Sequence, residues 1–404
     1  MNTFKAELNK IILALTSVGL LILLIFPASL SAHHFRYGTM SWEPISDNGT
    51  HITIRLKMQN GWSANHTHFR VEGDYSTWVT GYIGSIKADY YEIVWGDGTS
   101  NSDMDHKIIS RDNVTPTSYD CSSSGSNICI QSTISEMGDY TSSTWTSGAT
   151  HTYSSDGDYV VYWGSSARQG VENSNGGAWR NETKVNIGGP YDNNTSPVSA
   201  VPPIVQVQDN TTFTYQVSAT DANSDNLTYR WGTKAEFFGS SGAFVMPTGM
   251  TLSDSGLIEW DVRDSVLCSG CSQNDVNDVG DLWVAVIMVE DLDSSGNVKS
   301  YIPIDFFFKT TDASNPSATL SGIPNETQIV SVGNTKTFTI TSTDDSGVAP
   351  TITILNPPSD NSSIWSTTTS NSMVGEDNTT TFTITFTPDS SMAGNTSVIS
   401  VRST

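Results

Sequence analysis

The sequence predicts an all-β protein built of serial β-sandwiches, and three observations carry that expectation. Apolar and polar residues alternate in "HITIRLKM" (Ile52, Ile54, Leu56, Met58), "YIPIDFFF" (Ile302, Ile304, Phe306, Phe308) and "TFTITF" (Phe382, Ile384, Phe386). That is the period of a strand with one face on a core. The runs are short, rich in Thr, Val, Ile and aromatics, and separated by Gly, Asn, Asp and Ser clusters, the residues that make turns. Beyond the N-terminal stretch no segment sustains a helical period of about 3.6 residues, so no helix is expected.

At 404 residues the chain is several times the roughly 100 residues of one sandwich. Two connectors divide it, "GGPYDNNTSPVSAVPPIV" (188–205) and "TTDASNPSATLSGIP" (310–324). Proline cannot donate to a ladder, and neither stretch alternates. The expected units are 33–190, 196–311 and 316–404. The second and third share a weak repeat at their first strands, "TTFTYQVSATDANSD" against "KTFTITSTDDSG". The sequence stops just after the last strand, without a sorting signal, which fits either a complete or a truncated third sandwich.

Lys5 and Lys10 precede an apolar run from Ile11 to Phe26, and "PASLSA" ends on small residues at Ala32. That layout predicts a secretory signal peptide over 1–32, hence a secreted or cell-surface protein. An uncleaved anchor is the rival, and it is the one route by which the sequence would touch a membrane. Against 19 bases stand 42 acids, a net charge of −23, which excludes the phosphate backbone of nucleic acid as a partner. The same balance offers oxygen ligands to a hard cation such as calcium. The four cysteines suit an oxidising compartment: Cys121 and Cys129 bracket "CSSSGSNIC", and Cys268 and Cys271 form "CSGC". Local pairing into two disulfides is the simplest of three connectivities. A redox pair or half a zinc site is the other reading of "CSGC", though no helical period follows it.

In "VWGDGTS" (94–100) the carboxylate of Asp97 lies between Gly96 and Gly98 after a strand that alternates into Trp95. The two glycines supply the freedom of a tight turn, and an Asp there bonds its own backbone. Asp97 is therefore expected to shape the chain. About fifty residues on, "ATHTYSSDGDYVVYW" (149–163) repeats the logic, with Gly157 between acids before a strand. Together "YYEIVWGDGTS" and "HTYSSDGDYVV" resemble the two signature stretches of polycystic-kidney-disease (PKD) domains, which implies an immunoglobulin-like sandwich over 33–190. The stretch from Asn101 to Thr150 is longer than a compact PKD module needs, so this one carries an insert.

The second unit is similar to the cadherin-like immunoglobulin repeats of surface proteins. It shows in order "VSATDANSDNLTYRW", "MPTGMTLSDSGLIEWDV" and "LWVAVIMVEDLDSSGNVKSYIPIDF". These match an Asp-rich turn before a Leu-Thr-Tyr strand, a Pro-x-Gly turn, a Gly-Leu-Ile strand and a closing acidic turn. The third unit, ending in "FTPDSSMAGNTSVISV", resembles immunoglobulin-like repeats by a generic signature. The resemblances imply tandem immunoglobulin-like sandwiches, and the cadherin-like one implies calcium near module junctions.

In "DANSDN" the oxygens of Asp221, Asn223 and Asp225 fall at alternate positions, a spacing at which a loop wraps calcium. It is not an EF-hand, because Asn226 and Gly232 stand where that loop requires Gly and Glu. "VEDLDSSGN" adds Glu290, Asp291 and Asp293 as candidate ligands. Asp-Asn-Ser clusters are also ordinary turn chemistry, so both readings stay open.

Cleavage after Ala32 would expose His33, and His66 and His68 in "NHTHF" share one face of a strand. Both point to a copper-dependent oxidative enzyme, but neither extends into an enzyme pattern, and no nucleophile elbow or P-loop is present. Trp62, Trp78, Trp145 and Trp179 stand in polar contexts that suit stacking on sugars. Trp95, Trp163, Trp260 and Trp283 lie in alternating strands and belong to a core. The expectation is a non-enzymatic adhesion or structural protein with protein or glycan partners at the cell surface. A carbohydrate-binding accessory protein and a copper-dependent or hydrolytic enzyme are the alternatives.

Overall fold

The computed structural model describes residues 35–403 apart from 65–68, 72–73, 80–82, 89–91, 102–103, 112–131, 142–143, 175, 192, 210, 239–243, 245, 248, 263–280, 312–317, 325–327, 345–347, 357–362, 375–376 and 394–398. The signal-peptide segment, His33, His66, His68 and all four cysteines lie outside the described residues.

The architecture is all-β. In the first unit the principal strands are β1 (Phe35–Asp47), β2 (Ile52–Ser63), β3 (Ile93–Val94), β4 (Asp105–Arg111), β5 (Ser132–Thr141), β6 (Ala149–Tyr153), β7 (Gly157–Arg168) and β8 (Gly177–Ile187). The second unit has β9 (Ile204–Gln208), β10 (Thr211–Gln216), β11 (Asn226–Trp231), helix α1 (Lys234–Phe238), β12 (Thr251–Leu252), β13 (Leu257–Val262), β14 (Leu282–Leu292) and β15 (Val298–Thr311). The third has β16 (Thr319–Ser321), β17 (Lys336–Asp344), β18 (Ile352–Asn356), β19 (Trp365–Val374), β20 (Asp377–Phe386) and β21 (Ser400–Ser403).

Alternation places the cores. Even-numbered residues of β2 point inward, so Ile54, Leu56 and Met58 join Trp42, Trp95, Trp163 and Trp179 in the first core. The second core lies between the β10–β13–β12 sheet and strands β9, β11, β14 and β15, with Trp260 and Trp283 edge to face at 5.8 Å. Strand β14 does not alternate: Leu282 to Val289 are buried without a break. Its far face is covered by Phe237 and Phe238 of α1, so both of its faces are interior, which is why "LWVAVIMV" is continuously apolar. The helix itself is one the periodicity argument did not expect. Its start carries one half of a capping box, with Glu236 Oε2 accepting from the Thr233 amide at 2.7 Å and also from its hydroxyl at 2.9 Å.

The first two units are joined by main-chain pairing. β15 takes β14 along one edge, and its other edge is shared in succession by β8 (Tyr301 opposite Lys184), β1 (Asp305 opposite Gly38) and β9 (Phe307 opposite Ile204). Gly38 is required at this crossing, because a Cβ there would stand 2.0 Å from Asn181 Nδ2. Strands of both units thus belong to one hydrogen-bonded sheet.

At the crossing lies an ion pair with both side chains fully buried, Arg168 to Asp305. Arg168 Nη1 donates to Asp305 Oδ1 at 2.8 Å and Nη2 to Oδ2 and to the Phe237 carbonyl. Its guanidinium carbon lies 5.5 Å from the Phe35 ring and 5.1 Å from that of Phe238. Burial pushes the Asp305 carboxyl above the usual carboxylate range, and Arg168 draws it back only in part. Asp305→Ala, which strands a buried guanidinium, is expected to cost about 3–5 kcal/mol in chemical denaturation. Arg168→Met with Asp305→Leu is expected to recover most of it, and a single-site loss below about 1 kcal/mol would place the pair in water.

Candidate metal centre at the connector

The turn between the short strand Ala219–Thr220 and β11 carries Asp221, Asn223 and Asp225. Asp221 Oδ1 organises it, accepting from the amides of Asn223 at 2.8 Å and Asp225 at 3.1 Å. Ser224 holds a left-handed backbone at φ 64° to close it. Opposite lies the end of β14, where Asp291 is fully buried and its Oδ1 accepts from the Ser300 amide and hydroxyl at 2.6 Å. Carboxylate oxygens of Asp221, Asp225 and Asp291 come within 4.8 Å of one another.

The connector supplies the fourth group. Asn194, 3% exposed, donates from Nδ2 to Asp291 Oδ2 at 3.1 Å. Its Oδ1 and the Asp221 Oδ2 are both buried without a hydrogen-bond partner. Burial raises the Asp221 pKa, and the nearby charges of Asp291 and Asp225 push in the same direction. Among the described residues the cation in contact is Lys299, whose Nζ pairs with Asp225. Three carboxylates against one ammonium leave two negative charges.

The other sequence candidates are engaged elsewhere. Asn223 is a clasp: its Oδ1 accepts from the Thr195 amide and hydroxyl at 2.8 Å, and its Nδ2 donates to the Asn193 carbonyl at 3.0 Å. Glu290 pairs with Arg230 at 2.6 Å. Asp293 turns its own loop. Hydrogen bonds from the side chain and amide of Asn297 are the main cause holding its carboxyl down at about 2. Asn194 and Lys299 carry no sequence signal for this role, since each meets the acidic turn only through the fold.

Asp97 sits in the turn its glycines predict. Gly96 and Gly98 have φ of 83° and 90°, and a Cβ on Gly96 would stand 2.8 Å from the Val160 carbonyl oxygen. Asp97 Oδ1 accepts from the Thr99 amide at 2.9 Å and hydroxyl at 2.6 Å. Oδ2 meets His151 Nε2 at 2.8 Å, and the His151 ring stacks on Trp95 at 4.6 Å. The two signature stretches are therefore clasped through His151, a residue the turn argument did not single out. Gly157 is the first residue of β7, opposite Ile187, and has no left-handed backbone, so it begins a strand rather than making the turn.

Two of the tryptophans expected to meet sugars are interior. Trp62 is 3% and Trp179 is 2% exposed; Phe35 stacks on Trp179 at 3.9 Å. Their polar sequence neighbours face the other side of the strands. Trp145 is partly buried and donates to Glu136 at 2.6 Å. The side chain of Trp78 lies outside the described residues.

No protein-family model and no curated protein matches the chain. Among solved structures, the crystal structure of Dpr2 Ig1-Ig2 in complex with DIP-Theta Ig1-Ig3 is similar at 10% identity over 86% of this chain and 91% of that one, with a TM-score of 0.15. So loose a superposition carries no argument. Among the described residues no helix is long and apolar enough to cross a membrane.

Burial raises the Asp97 pKa, but the bonds from Thr99 and His151 outweigh it and hold the carboxyl below its usual value. A carboxyl lowered on folding stabilises fully above its unfolded pKa, about 3.9. That stability is lost as pH falls through the lower folded value. Asp97→Asn is expected to flatten the acid limb of a melting-temperature profile below about pH 4, and Asp97→Ala to cost about 1–3 kcal/mol at neutral pH.

Proposed function

We propose that this protein is a non-enzymatic extracellular structural or adhesive stalk of immunoglobulin-like sandwiches, in which a calcium ion stiffens the junction of the first two. The observation that carries the reading is the convergence of Asn194, from the connector, on Asp221, Asp225 and Asp291 of the second sandwich, with two buried oxygens left unpartnered. The donor set fits a hard cation. All ligands are oxygens, and a Ca–O distance of about 2.3–2.6 Å lets ligand atoms of one ion lie up to about 5 Å apart, which accommodates the observed 4.8 Å. The two uncompensated negative charges match a divalent ion. Asp221, Asp225 and Asp291 would hold it, and the Asn194 amide would turn so that Oδ1 faces it, a rotation that changes no side-chain volume.

The ion would neutralise carboxylates that otherwise repel and tie the connector to the acidic turn. Shared pairing through β15 gives the two sandwiches a common backbone, and the junction site would add a second cross-link between connector and turn. Such a stalk suits protein partners at a cell surface, its loops presenting the contacts. With Trp62 and Trp179 in the core, the glycan reading loses two of its four aromatic platforms.

The test is a thermal melt of the secreted chain with calcium and with excess chelator, paired with limited proteolysis of the connector. At a hundredfold excess of calcium over Kd the folded state is expected to gain about 2.7 kcal/mol. The connector is expected to resist cleavage only with calcium present, and Asp221→Asn to abolish both effects. Equal melts with and without calcium would leave Lys299 as the resident cation of the cluster and overturn the metal-stiffened stalk.

A further inference from the structure

The third sandwich presents a free strand with unusual chemistry. Its four-stranded sheet runs β16–β17–β20–β19, which leaves β19 with one ladder partner among the described residues. β19 reads "WSTTTSNSMV", with no charged residue and no proline, in a chain of net charge −23. Ser366 to Met373 are all exposed. Sheet edges are ordinarily protected by Lys, Pro, bulges or a covering element; this one has no such side chain along it.

Hydroxyl groups lace the strands of this sheet together. Ser321 meets Thr341 at 2.5 Å, Thr343 meets Thr379 at 3.3 Å, and Thr380 donates to Asn371 at 3.1 Å. On the outer face the register aligns Thr339, Thr383 and Thr368 in one row and Thr341, Thr381 and Ser370 in the next. Among the described residues each row ends at β19, with no further strand paired beyond its last hydroxyl.

We infer that β19 is a docking edge for β19 of a second copy, the two strands pairing antiparallel about a two-fold axis at Thr369. That register sets Thr368 opposite Ser370 of the partner copy, Ser366 opposite Ser372, and Thr367 opposite Asn371, so every hydroxyl row continues into the second sheet. It also sets Met373, 69% exposed, opposite the other copy's Trp365 on one face, and thioether–aromatic contact is favourable. The occupant is a second copy for an electrostatic reason. Acidic surfaces repel one another, and an uncharged ten-residue edge whose own sequence is complementary to itself under a two-fold is where two such chains can approach. Main-chain ladder bonds supply the attraction, as in other strand additions.

Sedimentation equilibrium of the full secreted chain tests this. The expected result is a reversible dimer with Kd no weaker than about 1 mM. Thr368→Lys with Ser370→Lys puts like charges opposite each other across the axis, and is expected to weaken the dimer at least about tenfold. Thr368→Lys with Ser370→Glu puts opposite charges there and is expected to restore it. Thr369→Cys, at the axis, is expected to form an intermolecular disulfide, whereas Thr353→Cys on the exposed side of β18 is not. Circular dichroism confirms that each variant folds. A chain monomeric at all concentrations, a dimer indifferent to the paired lysines, or equal behaviour of the Lys/Lys and Lys/Glu variants would each overturn the inference.

Discussion

One strand holds the first two units in a fixed relation. β15 is the partner of β14 on one edge and of β8, β1 and β9 in turn on the other, so no rotation of one unit against the other is possible without breaking ladder bonds. The pleat then decides where its charge goes. Ile302, Ile304, Phe306 and Phe308 face the second core, which turns Asp305 to the opposite side, toward Arg168 and the rings of α1. A carboxylate there is tolerable only because a guanidinium meets both its oxygens, since desolvating either ion alone would cost several kcal/mol.

The acidic turn at Asp221 to Asp225 inherits its geometry from this arrangement. β15 and β14 form a hairpin, and its end brings Asp291 beneath Asp221 and Asp225 while Lys299 reaches Asp225 from the other strand. The connector is drawn in from the opposite direction by Asn223, which binds both Asn193 and Thr195. Asn194, between those two anchors, is thereby held against Asp291. The acidic cluster is thus a consequence of strand register and one side-chain clasp, and the orphaned oxygens of Asp221 and Asn194 are what remain after the protein's own donors have been used.

Local chemistry was legible in the sequence; pairing between distant segments was not. Period-two alternation located β2, β15 and β20 and their inward residues, and Gly-Asp-Gly located a turn whose left-handed glycines are now visible. The acidic turn at 221–225 and Asp291 were legible because loop oxygens at alternate positions are a local pattern. Asn194 was not, because nothing in "YDNNTSP" distinguishes an asparagine that faces a carboxylate from one that faces water. The helix escaped because five residues cannot show a helical period; its Thr-x-x-Glu cap was the available signal. Polar neighbours suggest surface platforms at Trp62 and Trp179, but in a strand they lie on the other face and say nothing about the tryptophan's own side. The continuous apolar run of β14 carried the clearest unread message, that both its faces are covered and another element must lie across it.

The scarcity of cations explains how the rest of the charge is distributed. Against 42 acids the chain has only 19 bases, and four of those described stand where strands or segments meet, while Arg55 and Lys57 pair with Glu43 at the surface. Arg168 reaches Asp305, Lys184 donates to the Val298 carbonyl at 3.0 Å, Arg230 bridges Glu236 and Glu290, and Lys299 meets Asp225. A lysine or arginine committed to a joint cannot neutralise the outer surface, so the surface left over is acidic and self-repelling. Net charge of one sign keeps such surfaces apart without a lysine on every sheet edge. An edge such as β19, free of both signs, is the exception that such an allocation permits, and its threonine and serine side chains are short enough to leave its main chain open to a partner strand.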